Sequence, residues 1–132
     1  MTVNSIDIRP RYSECDPMGV VHHTVYPIWF EMGRTELLRM TGVSYKDLEE
    51  RGILLAVVRL EVRYRQPARY DEALRLESEL KSVGRVKVVH EYRLMRGSEL
   101  LVTGSTTLAC LDRSGAAQMI PDLLLAPQAE SG

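Results

Sequence analysis

Asp16 is the residue in this chain most suited to chemistry. It stands in the run Glu14-Cys15-Asp16-Pro17-Met18-Gly19-Val20-Val21-His22-His23-Thr24-Val25-Tyr26, between a strand-like segment and a helix-like one. A carboxylate at such a junction can attack an electrophilic carbonyl, or take the proton of an attacking water as a general base. Its ordinary alternative is to open an Asp-Pro turn, in which Pro17 fixes φ and Gly19 supplies a positive one. His22 and His23 add two imidazoles that can orient a substrate or a water, or simply hydrogen-bond the loop. Glu31, one to two turns into the helix-like segment, is the rival carboxylate. A carbonyl oxygen that gains charge also needs donors, and the first amides of a helix point outward without partners at the positive end of its dipole.

Several elements must hold these groups. Residues 6–15 alternate loosely and read as a strand that stops at Asp16. Residues 24–40 read as a helix with Thr24 as N-cap, Pro27 tolerated in the first turn and Gly42 ending it. Its first half is apolar nearly all round (Val25, Tyr26, Ile28, Trp29, Phe30, Met32), which predicts enclosure by protein. Arg34, Glu36 and Arg39 bring the second half to the surface. A short helix over 44–51 opens with Ser44 and Asp47, an approximate capping box.

Four strands follow at about 53–66, 73–82, 86–96 and 100–111, with turns near 67–72, Gly84 and Gly97, and their short connections predict antiparallel pairing. The alternation in 59–65 and 74–77 gives one polar and one apolar sheet face, and the long helix must cover the apolar one. The expected fold class is α+β, with an antiparallel sheet of about five strands around one long helix. The tail after Pro121 turns to Pro, Gln, Ser and Gly, so its last residues are expected to be loose.

Composition narrows the function. At 132 residues with 45% hydrophobic content the chain suits one domain with one core. Seventeen basic residues against eighteen acidic ones give a net charge of −1, so no global field draws it to nucleic acid or an anionic membrane, and any anion site must be local. Cys15 and Cys110 belong to no CxxC or Cys/His cluster of metal-ligand spacing, which points to a reducing compartment without metal or redox cofactor. No stretch approaches the ~18 apolar residues of a membrane helix. The N-terminus has no basic segment leading into an apolar run. The expectation is a cytoplasmic protein without membrane insertion.

The run around Asp16 resembles the signature of the 4-hydroxybenzoyl-CoA thioesterase-like family, including its Tol-Pal-associated acyl-CoA thioesterases. There an Asp, a Gly-Val pair, a His or aromatic residue and a Tyr lead into the central helix, which continues here as Trp29-Phe30-Glu31-Met32-Gly33-Arg34-Thr35. Tyr64-Arg65-Gln66-Pro67-Ala68-Arg69-Tyr70-Asp71-Glu72 resembles the family's Tyr-x-x-Pro-Ala-x-x-Asp connection between its second and third strands, and Met119-Ile120-Pro121 its closing motif. The resemblance implies the hotdog fold, a curved antiparallel sheet around one central helix. It further implies a homodimer or homotetramer, with the active site at the dimer interface and one subunit's catalytic loop facing the other's helix.

The activity so implied is hydrolysis of a short-chain or aromatic acyl-CoA to free acid and CoA. In that reading Asp16 is base or nucleophile, His23 offers its backbone N–H to the oxyanion or its imidazole to substrate or water, and Gly19, Val20 and Tyr26 bind substrate. Arg85 and Lys87 align with the family's phosphate-contacting basic residues, Glu31 looks structural, and Arg63, Arg65 and Arg69 form a second candidate patch. Trp29, Phe30, Met32 and 53–58 are candidate pocket walls. One departure stands out: Val25 occupies the place where many relatives carry Asn before the helix Tyr, which leaves that Asn's orienting role open here. Two rivals share the residues. A hotdog dehydratase or hydratase acting on a thioester carries its His in a different setting. A non-catalytic acyl-CoA-binding protein has no need of a carboxylate facing the carbonyl.

Overall fold

Period-two alternation and one apolar helix account for most of the residues that the computed structural model describes, 3–121. The elements run β1 (Val3–Ile8), a 3₁₀ turn (Tyr12–Glu14), α1 (Tyr26–Arg39), α2 (Tyr45–Glu50), β2 (Leu54–Tyr64), β3 (Leu74–Val83), β4 (Lys87–Arg96) and β5 (Glu99–Leu111). The expectation of a loose tail falls outside the described residues.

All five strands join one antiparallel sheet in the order β1-β3-β4-β5-β2. Here the structure corrects the sequence. β2 and β3 are consecutive but not paired, and β2 pairs with β5 instead. The tight turns at Gly84 and Gly97 keep β3, β4 and β5 as neighbours, whereas residues 65–73 are long enough to carry the chain from one side of the sheet to the other.

The core lies between α1 and the concave sheet face. Leu74, Leu76 and Ser78 of β3, Val88, His90, Tyr92 and Leu94 of β4, and Val102, Thr106 and Leu108 of β5 are buried there. Tyr26, Trp29, Phe30, Gly33 and Leu37 are the buried helix residues that meet them. Phe30 stacks on Tyr92 with ring centroids 4.3 Å apart. Two glycines permit this closeness, because a Cβ on Gly104 would run into the Phe30 ring and one on Gly33 into Ser78.

Two further expectations need correction. Thr24 does not cap α1: the N-cap is Val25, already in helical geometry, and the Thr24 hydroxyl instead lies 2.8 Å from His22 Nδ1. Nor is α1 enclosed all round, since it packs on β1 and β3 and hardly touches β2. Ile28 and Met32 on the helix are exposed, Met32 beside Ile6 and Asp7 of β1, as are Val57, Val58, Leu60 and Tyr64 on β2. The capping box of α2 is present, with the Asp47 N–H donating to Ser44 Oγ at 3.1 Å and the Ser44 N–H to Asp47 Oδ2 at 3.0 Å.

Candidate active site

The loop carrying Asp16 is a miniature hairpin. Cys15 opposes Val21, the Asp16 N–H donates to the Val20 carbonyl at 2.8 Å, and the His22 N–H donates to the Glu14 carbonyl at 2.9 Å. At the tip the Gly19 N–H reaches the Asp16 carbonyl at 2.9 Å, and Gly19 takes φ +82°, which costs a glycine nothing. Asp16 Oδ1 accepts the Met18 N–H at 2.8 Å. Its other oxygen has no hydrogen-bond partner among the described residues, so a fixed carboxylate keeps one oxygen for chemistry. The Val21 N–H donates to the Ala68 carbonyl at 2.8 Å and Val20 opposes Arg69, which joins the first sequence motif to the second.

Glu14 is a site residue that the sequence reading did not single out. It is buried, and it accepts from Trp29 Nε1 at 3.1 Å, from the Arg11 N–H at 2.7 Å and from the Arg11 guanidinium at 3.4 Å. Burial alone would raise its pKa, but these hydrogen bonds and the Arg11 charge outweigh burial and hold it below the usual carboxylate value. The signal was Trp29 itself, because an indole N–H on an enclosed helix needs an acceptor.

Between loop and helix the chain makes a turn closed by the Val25 N–H on the His22 carbonyl at 3.0 Å. The His22 and His23 rings lie with centroids 4.3 Å apart. The His23 carbonyl accepts from the Tyr64 hydroxyl at 2.9 Å, and the Tyr26 hydroxyl accepts the Ala68 N–H at 3.2 Å. Among the described residues the His23 N–H meets no acceptor, so it is free to donate to a ligand. Burial raises the Tyr26 pKa, partly offset by the Ala68 amide, and keeps its hydroxyl protonated. Val21, His23, Tyr26, Tyr64 and Arg65 line a recess of about 230 Å³ beside this turn. Asp16 is not in the lining; it sits around the hairpin from Val21.

The basic residues separate clearly. Arg85 and Lys87 are exposed at the β3–β4 turn, where the Gly84 N–H donates to the Lys87 carbonyl at 2.8 Å. The other end of β4, Arg96, holds Glu72 at 2.8 Å and the Pro67 carbonyl at 3.4 Å, in the connection that meets the Asp16 hairpin. The ten residues of β4 thus set Lys87 roughly 30 Å from Arg96, at ~3.3 Å per residue, at the end of the strand away from that hairpin. Arg65 and Arg69 lie beside the hairpin, while Arg63 shares the outer sheet face with Glu61, Glu91 and Arg93. Glu31 is exposed on α1 and 3.9 Å from Arg34, toward the far half of the helix. Among the described residues no group of three His, Cys, Asp or Glu is placed to hold a metal ion.

The sequence pattern of the thioesterase-like superfamily matches residues 10–127. The chain belongs to that superfamily. Acyl-CoA thioesterase YbgC of Haemophilus influenzae is 34% identical over 82% of this chain and 80% of its own. Acyl-CoA thioester hydrolase YbgC of Escherichia coli O157:H7 is 30% identical over 80% of this chain and 79% of its own. Among solved structures, a DHNA-CoA thioesterase from Staphylococcus aureus is 31% identical with a TM-score of 0.88, covering 99% of this chain and 89% of that one. The five-stranded antiparallel sheet around one long helix is the hotdog fold expected from the motifs.

Within this thioesterase-like frame, the chain itself brings together Asp16, Gly19 and Val20 on the hairpin, His23 and Tyr26 in the recess, and Arg65 and Arg69 alongside. It does not bring Arg85, Lys87, Arg63 or Glu31 to them. Tyr64, which holds the His23 carbonyl, was quoted only as part of a motif, since its partner lies 41 residues away and nothing local announces it.

Proposed function

We propose that the protein hydrolyses an acyl-CoA thioester to free acid and CoA, at a site that two copies of the chain complete together. The observation that supports this reading is the Asp16 hairpin, which holds a carboxylate with one open oxygen and whose returning strand, at Val21, leads into the recess of His23 with its unpaired N–H. Asp16 takes the proton of the attacking water or adds to the carbonyl itself, the His23 N–H receives the oxyanion, and the CoA thiolate leaves. Gly19 and Val20 shape the hairpin against the thioester, and Tyr26 lines its recess. The named relatives favour an acyl-CoA substrate, and the Staphylococcus protein favours an aromatic acyl group.

A second copy is supported by the uncovered side of β2. Among the described residues its outer edge pairs with no strand, and its apolar side chains are exposed. Two β2 strands paired antiparallel about a two-fold axis make one continuous sheet. The same rotation brings the partner's β3–β4 turn to the Asp16 end of this chain, roughly three strand spacings of ~4.8 Å from β2. Arg85 and Lys87 therefore serve the partner's site in this arrangement, clamping CoA phosphates that a single chain holds out of reach. The assembly is a homodimer that pairs again to a homotetramer, each chain one domain. No helix among the described residues is long and apolar enough to cross a membrane, and we place the protein in the cytoplasm.

The test is thiol release from acetyl-, hexanoyl-, palmitoyl-, phenylacetyl- and hydroxybenzoyl-CoA by the parent and by Asp16→Asn. The expected result is turnover of at least one short or aromatic thioester, with ~10²-fold or greater loss in the variant and an unchanged fold. No turnover of any thioester, or a variant within about threefold of the parent, overturns the reading.

A further inference from the structure

Arg34 leaves α1 toward the sheet, and its side chain is only 10% exposed. Its one ion-pair partner among the described residues, Glu31, is 3.9 Å away and 69% exposed, at the outer limit of such a pair. The other groups around the guanidinium are phenols: it lies close to the hydroxyls of Tyr45 and Tyr92. The Tyr92 hydroxyl is already shared with Thr106 Oγ1 at 2.6 Å. Five N–H donors thus meet two phenolic oxygens and one distant carboxylate. A buried cation in such surroundings is costly unless something pairs with it.

Near Arg34 is a buried polar atom that is unsatisfied. His90 Nδ1 has no hydrogen-bond partner. Burial, and then the Arg34 charge, pull the His90 pKa down to about 4, so the imidazole stays neutral and, among the described residues, Arg34 is the only buried positive charge in this part of the core. Tyr45 is pushed up to about 12, chiefly by burial, so its O–H remains a donor. Beside these groups is a cavity of about 330 Å³, lined by Arg34, Tyr45, Leu55 and Leu108, with the exposed Glu31 and Glu49 at its rim. It opens between α1, α2 and β2, on the side where the second copy is placed. Leu55 and Leu108 form one apolar wall, Thr35 adds a hydroxyl, and Arg34 and Tyr45 put donors at the base. That combination suits a short apolar chain ending in a hydrogen-bond acceptor. The rim glutamates are exposed, so water weakens their fields, whereas the buried guanidinium acts through a lower local dielectric.

We propose that this cavity is a carboxylate-binding site, with Arg34 as the ion-pair partner and Tyr45 donating a further hydrogen bond. The carboxylate arrives either at the far end of a dicarboxylic acyl group or on a free carboxylic acid. The first source rests on the thioesterase reading; the second does not.

Adipoyl-CoA and hexanoyl-CoA have the same chain length and differ by one terminal carboxylate, so their kcat/KM ratio reads the first source. If the acyl group carries the carboxylate, the parent prefers adipoyl-CoA by at least about tenfold, the worth of one charged hydrogen bond. Arg34→Gln then loses the preference while still hydrolysing hexanoyl-CoA, and Tyr45→Phe reduces it. The free-acid source is read by thermal shift with millimolar glutarate against glutaramide, its uncharged diamide. Stabilisation of the parent by glutarate alone, lost in Arg34→Gln and reduced in Tyr45→Phe, supports that source. Because Arg34→Gln removes a buried group and can fail to fold, Tyr45→Phe serves as the second variant on a half-buried ring. A parent that handles both thioesters alike and is not stabilised by glutarate overturns the proposal. If the parent hydrolyses no thioester at all, the thioesterase reading falls and the glutarate comparison alone decides the carboxylate site.

Discussion

The indole N–H of Trp29 on α1 donates to Glu14 Oε2 at 3.1 Å, so the helix is bonded to the residue two places before Asp16. One side chain thereby sets the distance between the central helix and the candidate catalytic hairpin. Glu14 is held below its ordinary pKa of 4.5, its burial outweighed by the donors that surround it. A carboxylate with a depressed folded-state pKa contributes stability that is present above the unfolded value and is lost as pH falls through the folded one. Glu14→Gln should therefore lower stability at pH 7 by about 1.5–3 kcal/mol. The gap between parent and variant should close as the pH drops below ~4. Melting curves at pH 7 and pH 3.5 check this, with emission from the only tryptophan as a second probe. A gap that stays constant over that range would falsify the ionised contact.

Phe30 lies directly over Gly104, so overpacking should be costly there. Gly104→Ala should destabilise by about 1–3 kcal/mol, since the added methyl meets the ring and the Glu61 carbonyl. The double variant with Phe30→Leu should recover part of that loss, because a smaller side chain makes room. Urea midpoints of the three variants decide it, and purely additive destabilisation would remove the contact from the account.

If β2 joins two copies, polar charge on its exposed apolar side should separate them without unfolding either. Val57→Lys combined with Leu60→Lys should give a folded monomer with little or no thioesterase activity. Light scattering and circular dichroism at micromolar concentration test this. A fully active parent monomer would refute the shared site, as would a double variant that stays dimeric and active.

The placement of Arg85 and Lys87 can be tested by mixing chains. Replacing both with Ala should raise KM for acyl-CoA and leave hydrolysis of an acyl-pantetheine, which lacks the nucleotide, nearly unchanged. If the partner donates these residues, a heterodimer of an Asp16→Asn chain with an Arg85→Ala/Lys87→Ala chain regains one complete site. Refolding the two chains together, one inactive and the other weak only at low acyl-CoA, should then restore activity at low acyl-CoA. A failure to restore it assigns the phosphates to Arg65 and Arg69 beside the hairpin.

Much of this arrangement was legible because it is written locally. The Gly turns that set β3, β4 and β5 as a meander, the capping box at Ser44 and Asp47, and the hairpin around Gly19 each involve residues a few positions apart. Pairings over long separations were not legible: β2 with β5, Tyr64 with the His23 carbonyl, and Arg96 with Glu72. Thr24 misled because its hydroxyl had a nearer partner in His22 than the helix amides. The run from Val25 to Met32 reads as enclosed, yet Ile28 and Met32 lie outside, because the sheet covers only one side of α1. Arg34 reads as a surface residue among polar neighbours, but Tyr92 of β4 and Tyr45 of α2 lie against it and it is buried.

The strand order also has a consequence for how the chain is made. β2 leaves the ribosome before β3, β4 and β5, but its one sheet partner among the described residues is β5, the last of them. Until that strand arrives β2 has no backbone partner, and closing so long a loop is slow compared with forming the β3-β4-β5 meander. The apolar side of β2 is therefore exposed through most of synthesis. The edge proposed to receive a second copy is completed by the last pairing event within the first. Assembly should then follow folding rather than assist it, and the newly made chain should be most prone to aggregate in the interval before β5 pairs with β2.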